Sequence, residues 1–188
     1  MNRATRKGVL LAGVFLIGVV AAGAFAATVQ YTNRLAFCIG CHEMESTVYQ
    51  EYRQTIHFSN RSGVQATCAD CHVPHHNVFA TLWRKVKATN EVFHHLVGSI
   101  DTPEKFEARR LALAQNVWAE MKANDSRECR NCHDFTAMNL AMQKNRSAKM
   151  HQSAKEAGET CIDCHKGIAH KAVHKQIETA EPADFDIQ

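Results

Sequence analysis

Four pentapeptides govern what this chain can become: "CIGCH" from Cys38, "CADCH" from Cys68, "CRNCH" from Cys129 and "CIDCH" from Cys161. They use every cysteine, as Cys38/Cys41, Cys68/Cys71, Cys129/Cys132 and Cys161/Cys164, and each pair is followed at once by a histidine: His42, His72, His133 and His165. CxxCH is the attachment signature of c-type haem. The two thiols add across the haem vinyl groups, and the adjacent histidine is set to ligate the iron. A four-cysteine zinc ribbon accounts for the pairs but not for a histidine after each one. A redox dithiol accounts for one pair but not for four without a βαβ pattern. The expectation is four covalently attached haem c groups. Haem also answers a shortage of core, because aromatic residues make up only 7% of the 188 residues. The formal charge of +3 is too mild to imply a nucleic acid partner.

The amino terminus carries Arg3, Arg6 and Lys7 and then no charge from Gly8 to Asn33. Val9 to Ala27 alone is 19 residues, enough to cross a membrane and longer than the apolar core of about 7 to 15 residues usual in a signal peptide. The "AFAA" at Ala24–Ala27 resembles a small-residue cleavage site, which leaves a soluble carrier as the alternative to an anchored one. Positive residues before the apolar run place the N-terminus in the cytoplasm. The expected organisation is a cytoplasmic N-terminus over 1–8, a transmembrane anchor over 9–29, an exported haem domain over 30–171 and a solvated tail over 172–188.

The motifs start at intervals of 30, 61 and 32 residues, two close pairs with a wider gap between them. "HFSNRSGVQATCADCHVPH" (His57 to His75) and "HQSAKEAGETCIDCHKGIAH" (His151 to His170) share further features: a histidine 14 or 15 residues before the haem histidine, Ser two positions on, Gly, Thr-Cys, and a histidine three or five residues after. This pattern reads as duplication of a dihaem unit. Between the motifs, "DTPEKFEARRLALAQNVWAEMKAND" has Asp101 or Thr102 as N-cap and Pro103 at the first helical position. Phe106, Leu113, Val117 and Met121 follow on one face. Val78, Leu82, Val86 and Phe93 form a similar stripe, and 43–57 reads as a third helix. No segment alternates like a strand. The expected fold is mainly α with extensive loop, an N-terminal transmembrane helix plus a compact multihaem domain of two dihaem repeats.

The repeated positions make His57, His75, His151 and His170 candidate distal iron ligands, with His75 weakened by its neighbour His76. His94, His95 and His174 lack that support and read as surface residues. The first motif differs, since "CIGCHEM" puts Met44 two residues after His42. A thioether ligand there raises the potential of that iron relative to a bis-histidine site.

The strings "CHEM", "NRSGV-ATC-DCHVPH", "IDTPEKFEA-R", "ECRNCH" and "CIDCHKGIAHK" resemble the anchored tetrahaem cytochromes of the NapC/NirT family, over nearly all of Phe37 to Lys171. The resemblance implies a quinol dehydrogenase of the bacterial inner membrane with its haem domain in the periplasm. Such a protein oxidises the membrane quinol pool and passes electrons to a periplasmic reductase, here nitrate reductase before nitrite or other reductases. It further implies Met44 as axial ligand of the first haem, with His42 the alternative. His57 is expected on the fourth haem (His165), His170 on the third (His133), and His151 on the second (His72), with His75 or a partner's lysine in reserve. Lys85, with Glu91 as its acidic neighbour, matches the family's quinol site. A terminal reductase is disfavoured because all four motifs end in His. A pentahaem relative is disfavoured because no long extension follows the fourth motif.

Overall fold

The computed structural model describes residues 2–178. Those residues form helices and loops, with no strand among them. Helix α1 (Arg3–Tyr31) starts where the Asn2 side chain accepts a hydrogen bond from the Thr5 amide. At 1.5 Å per residue its 29 residues span about 43 Å, more than the hydrocarbon core of about 30 Å. Its mean hydropathy reaches 2.6, and none of that window is buried within the protein. None of the described residues buries this helix, as suits a membrane anchor, and it is longer at both ends than the expected 9–29.

Short helices follow: α2 (Leu35–Cys38), α3 (His42–Ser46) and α4 (Val48–Tyr52). The single helix expected over 43–57 is broken at Thr47 (φ −115°, ψ −93°) and stops at Tyr52. Thr47 Oγ1 donates to the carbonyl of Glu43, the side-chain competition with the helix backbone that threonine offers. The remaining elements are α5 (Cys68–His72), α6 (Val78–Leu96), α7 (Pro103–Ala123), α8 (Arg127–Arg130), α9 (Asn145–Ala157), α10 (Cys161–Cys164) and α11 (Lys175–Glu178). Helix α7 begins as expected, with Thr102 as the capping residue and Pro103 in the first turn. Helix α9 ends at Gly158, whose φ of +68° is the left-handed conformation that glycine adopts without a Cβ penalty.

Among the described residues, the buried apolar side chains are Tyr52, Ala69, Phe106, Ile162 and Val173. That is too little to hold a domain of this size. The stripe on α6 is an apolar face that the polypeptide itself does not cover: Val78, Val86 and Phe93 are each more than half exposed. Val173 corrects the solvated-tail expectation at that position, since it is buried and precedes α11. Residues 179–188 of the tail lie outside the described residues.

Candidate functional site: a ladder of haem-attachment motifs

In the second and fourth motifs each CxxC is one helical turn closed by a capping box. The backbone amide and hydroxyl of Thr67 donate to Asp70 Oδ2 at 2.6 and 2.7 Å, and those of Thr160 to Asp163 Oδ2 at 2.9 and 3.0 Å. The aspartate stands between the two cysteines, so the box fixes the turn that presents both sulfurs. Lys122 Nζ lies 2.7 Å from Asp163 Oδ1 and, with the hydrogen bonds from Thr160, holds that carboxyl down at about 2.

The four motifs follow one another in space as in sequence. Helix α2 packs on α5, where the Cys38 and Cys68 thiols share a hydrogen bond that lowers Cys38 to about 7 and pushes Cys68 up. Helix α5 packs on α8. Burial chiefly raises Cys71 to about 11, with nearby Cys129 and Cys132 adding to it. Cys129 in turn neighbours Cys161, and α10 is tied to the entry of α8 by the Ile162 amide donating to the fully buried Ser126 Oγ at 3.1 Å.

Each motif histidine faces a second histidine. The ring centroids are 6.2 Å apart for His72 and His170 (planes at 29°), 6.2 Å for His57 and His133 (80°), 5.9 Å for His151 and His165 (30°) and 5.9 Å for His42 and His95 (56°). Two metal–imidazole bonds of about 2 Å, plus about 1 Å from each nitrogen to its ring centre, give about 6 Å. The spacing therefore admits one iron between each pair. Burial is the main cause that lowers the pKa of His57, His72, His165 and His170, with His72 reaching about 4. Neutral imidazole is the form that binds metal. Paired sulfurs with an imidazole on either side are a donor set that fits covalent haem.

His57, His151 and His170 each stand opposite a motif histidine, though not the one that the resemblance implied. His57 faces His133 and not His165, His170 faces His72 and not His133, and His151 faces His165 and not His72. Local structure explains each change. Helix α9 ends at the left-handed Gly158 and α10 begins at Cys161, a short turn that keeps His151 beside its own motif. His57 sits instead in a loop closed by Ala66 N on its carbonyl at 3.0 Å, outside any helix. His170 is brought back by a turn at Gly167, where φ is +73° and a Cβ would meet Ala172 at 2.8 Å.

His75 points its Nε2 at the Ala69 carbonyl, 3.1 Å away, and faces no motif histidine. His76 lies 3.1 Å from Arg127 on the surface, and His94 bonds Ser99 Oγ at 2.7 Å. His174 packs edge-on to Trp118, with a buried Nδ1 that no protein group satisfies, so it is not the surface residue expected. His95 is the larger correction. It is half-buried against His42 and donates from Nδ1 to Glu43 Oε1, and it lies outside the duplicated pattern that singled out the other three. Met44 lines a small cleft with Cys38, Ile39, Val48, Tyr49, Tyr52, Cys68 and His170. Lys85 Nζ reaches the Thr32 carbonyl at 3.1 Å and Asn33 Oδ1 at 2.5 Å, and burial chiefly lowers its pKa. Glu91 pairs with Arg84, at 2.8 Å, and not with Lys85.

A model of the NapC/NirT cytochrome c family, N-terminal region, matches residues 1–175. The chain belongs to this family. It is 55% identical to the cytochrome c-type protein NapC of Escherichia coli K12 over 87% of this chain and 82% of that protein. It is 52% identical to the denitrification system component NirT of Stutzerimonas stutzeri over 91% and 87%. It is 46% identical to a putative tetraheme cytochrome-c type protein of Allochromatium vinosum over 97% and 96%. No solved structure matches it significantly. Membership of the NapC/NirT family, with one apolar helix ahead of the CxxCH ladder, makes this chain a membrane-anchored electron-transfer cytochrome.

Proposed function

We propose that the protein carries four haem c groups, oxidises quinol at the outer surface of the bacterial inner membrane, and passes the electrons to a periplasmic reductase, with nitrate reductase as the favoured acceptor. The observation that carries this reading is the position of Lys85. Its ammonium meets the backbone where the membrane helix ends and lies close enough to Cys38 to influence its thiol. Quinol oxygens at the membrane surface would thus meet a donor beside the first motif. Oxidation of one quinol to quinone releases two electrons and two protons. Lys85, eased toward the neutral form by burial, takes part in the proton transfer, and Glu91, beside Arg84, provides a carboxylate about one and a half turns further along α6.

Cys38/Cys41, Cys68/Cys71, Cys129/Cys132 and Cys161/Cys164 would attach the haems. His72 with His170, His133 with His57 and His165 with His151 would hold three of the irons, and His42 the first. When bound, the haems supply one-electron redox chemistry, and the protein sets their ligands, spacing and burial. The favoured acceptor rests on the likeness to a NapC protein, while the likeness to a NirT protein supports nitrite reduction as the second reading. Deleting the protein and measuring quinol-dependent reduction of nitrate and then of nitrite tests both. Loss of nitrate reduction alone is expected, and loss of neither overturns the role.

A further inference from the structure

We infer that His95, held by Glu43, is the iron ligand opposite His42 for the haem attached at Cys38 and Cys41, and that Met44 is not an iron ligand. The inference rests on the reading that each CxxCH motif carries one haem.

The His42–His95 separation of 5.9 Å falls within the 5.9–6.2 Å spanned by the other three pairs. Four motifs thus share one arrangement. His95 also has the orientation that ligation needs. Its Nδ1–H donates to Glu43 Oε1, which fixes the tautomer and leaves Nε2 with its lone pair free. A carboxylate behind a ligating histidine aims the ring and raises its basicity. Glu43 itself is 2% exposed, and its Oε2 has no hydrogen-bond partner, with His42 Nε2 3.5 Å away. A carboxylate this buried belongs to a charged or metal-bearing setting, because burying it alone is costly. The Cys41 sulfur, the Glu43 carboxylate and a His95 ring nitrogen also lie within 4.8 Å of one another, so His95 stands at the edge where the macrocycle would be bonded.

Met44 has a different place. Two residues along α3 turn the side chain about 200° around the helix axis from His42. Its cleft contains Cys38 of the first motif as well as Cys68 and His170 of the second site. Met44 therefore packs between the first and second motifs. With His42 and His95 both committed to the first haem, no iron position would be left open to quinol, which side chains at the membrane surface would hold instead.

The test uses the full-length, haem-loaded protein in detergent, with haem content counted by mass. Electron paramagnetic resonance gives spin state, and ferric absorption in the far red shows any methionine–iron charge-transfer band. The expected wild type has four haems, all low-spin, with no methionine band. His95→Gly keeps four haems and turns one quarter of the iron high-spin, and added imidazole restores it. Met44→Leu changes neither signal. Glu43→Gln keeps all iron low-spin but raises the midpoint potential of one haem, which separates positioning from loss of fold. A methionine band that Met44→Leu removes, or a His95→Gly spectrum equal to wild type, overturns the assignment. Fewer than four haems in the wild type overturns the underlying reading instead.

Discussion

The Lys85 ammonium lies 3.1 Å from the carbonyl oxygen of Thr32, just past the last residue of the membrane helix. Carbonyls at a helix C-terminus lack partners within the helix and carry partial negative charge. One lysine therefore ties the anchor to α6 and fixes the height of the first motif above the membrane. Replacing Lys85 with alanine should lower quinol-dependent reduction by at least about tenfold, the lower range for loss of a proton-transfer group. Haem content and reduction by dithionite should be unchanged. Asn33→Leu, which leaves the Thr32 carbonyl contact in place, should have a smaller effect. Equal rates for wild type and Lys85→Ala, measured with a soluble quinol analogue, would exclude Lys85 from the quinol site.

Ring angles separate the histidine pairs experimentally. The His72/His170 and His151/His165 planes meet at 29° and 30°, but those of His57 and His133 at 80°. Near-perpendicular imidazoles leave the two iron dπ orbitals almost degenerate and produce a strongly axial low-spin resonance. Near-parallel ones produce an ordinary rhombic signal. One axial species should therefore be present in the ferric protein, and His57→Ala should remove it while leaving the rhombic signals of His151 and His170. If His57→Ala removes a rhombic signal instead, the pairing with His133 is wrong.

The capping boxes predict an acid response. Lys122 and Thr160 hold the Asp163 carboxyl at about 2, below the value of about 3.9 for an unfolded aspartate. A lowered folded-state value means stability that is present above about pH 4 and lost as the pH falls toward 2. Asp163→Asn should remove that part of the acid sensitivity. Asp70→Ala, which opens the box at the second motif, should cost about 1 kcal/mol. Urea unfolding of the haem-loaded protein at pH 7 and at about pH 2.5 would measure both. A midpoint for Asp70→Ala unchanged from wild type would show that the covalent haem alone sets this turn.

What the sequence made legible follows from the range of each interaction. The cysteine pairs, the anchor and the Thr102–Pro103 start of α7 are local patterns, and the structure carries them as expected. His57, His151 and His170 were visible because duplication repeats their spacing. Their partners were not, because pairing depends on how α5, α8 and α10 stack, which spacing does not encode. His95 escaped for the same reason. Its meaning comes from Glu43, 52 positions away in sequence. The break at Thr47 turned on one hydroxyl reaching back to a carbonyl, too fine a cue for apolar periodicity to reveal.

Arg110 provides the sharpest stability test. It is 6% exposed, its guanidinium lies 5.0 Å from the Phe106 ring centre, and it binds Glu51 at 2.9 Å and Glu107 at 2.5 Å. Glu51 also accepts from the Lys171 amide at 2.8 Å, next to His170. One arginine thereby joins α4, α7 and the strand of chain that carries a candidate ligand. Removing one partner of a fully buried ion pair costs about 3–5 kcal/mol, and the cost here is smaller because the stranded Glu51 and Glu107 carboxylates stay partly exposed. Arg110→Met should therefore lower the unfolding midpoint and loosen His170, so that the iron at the second motif becomes partly high-spin as temperature rises. Arg110→Met combined with Glu51→Leu should recover much of the stability by removing the stranded charge. If the double variant is no more stable than the single one, the loss comes from packing against Phe106, and the ion pair with Glu51 contributes little.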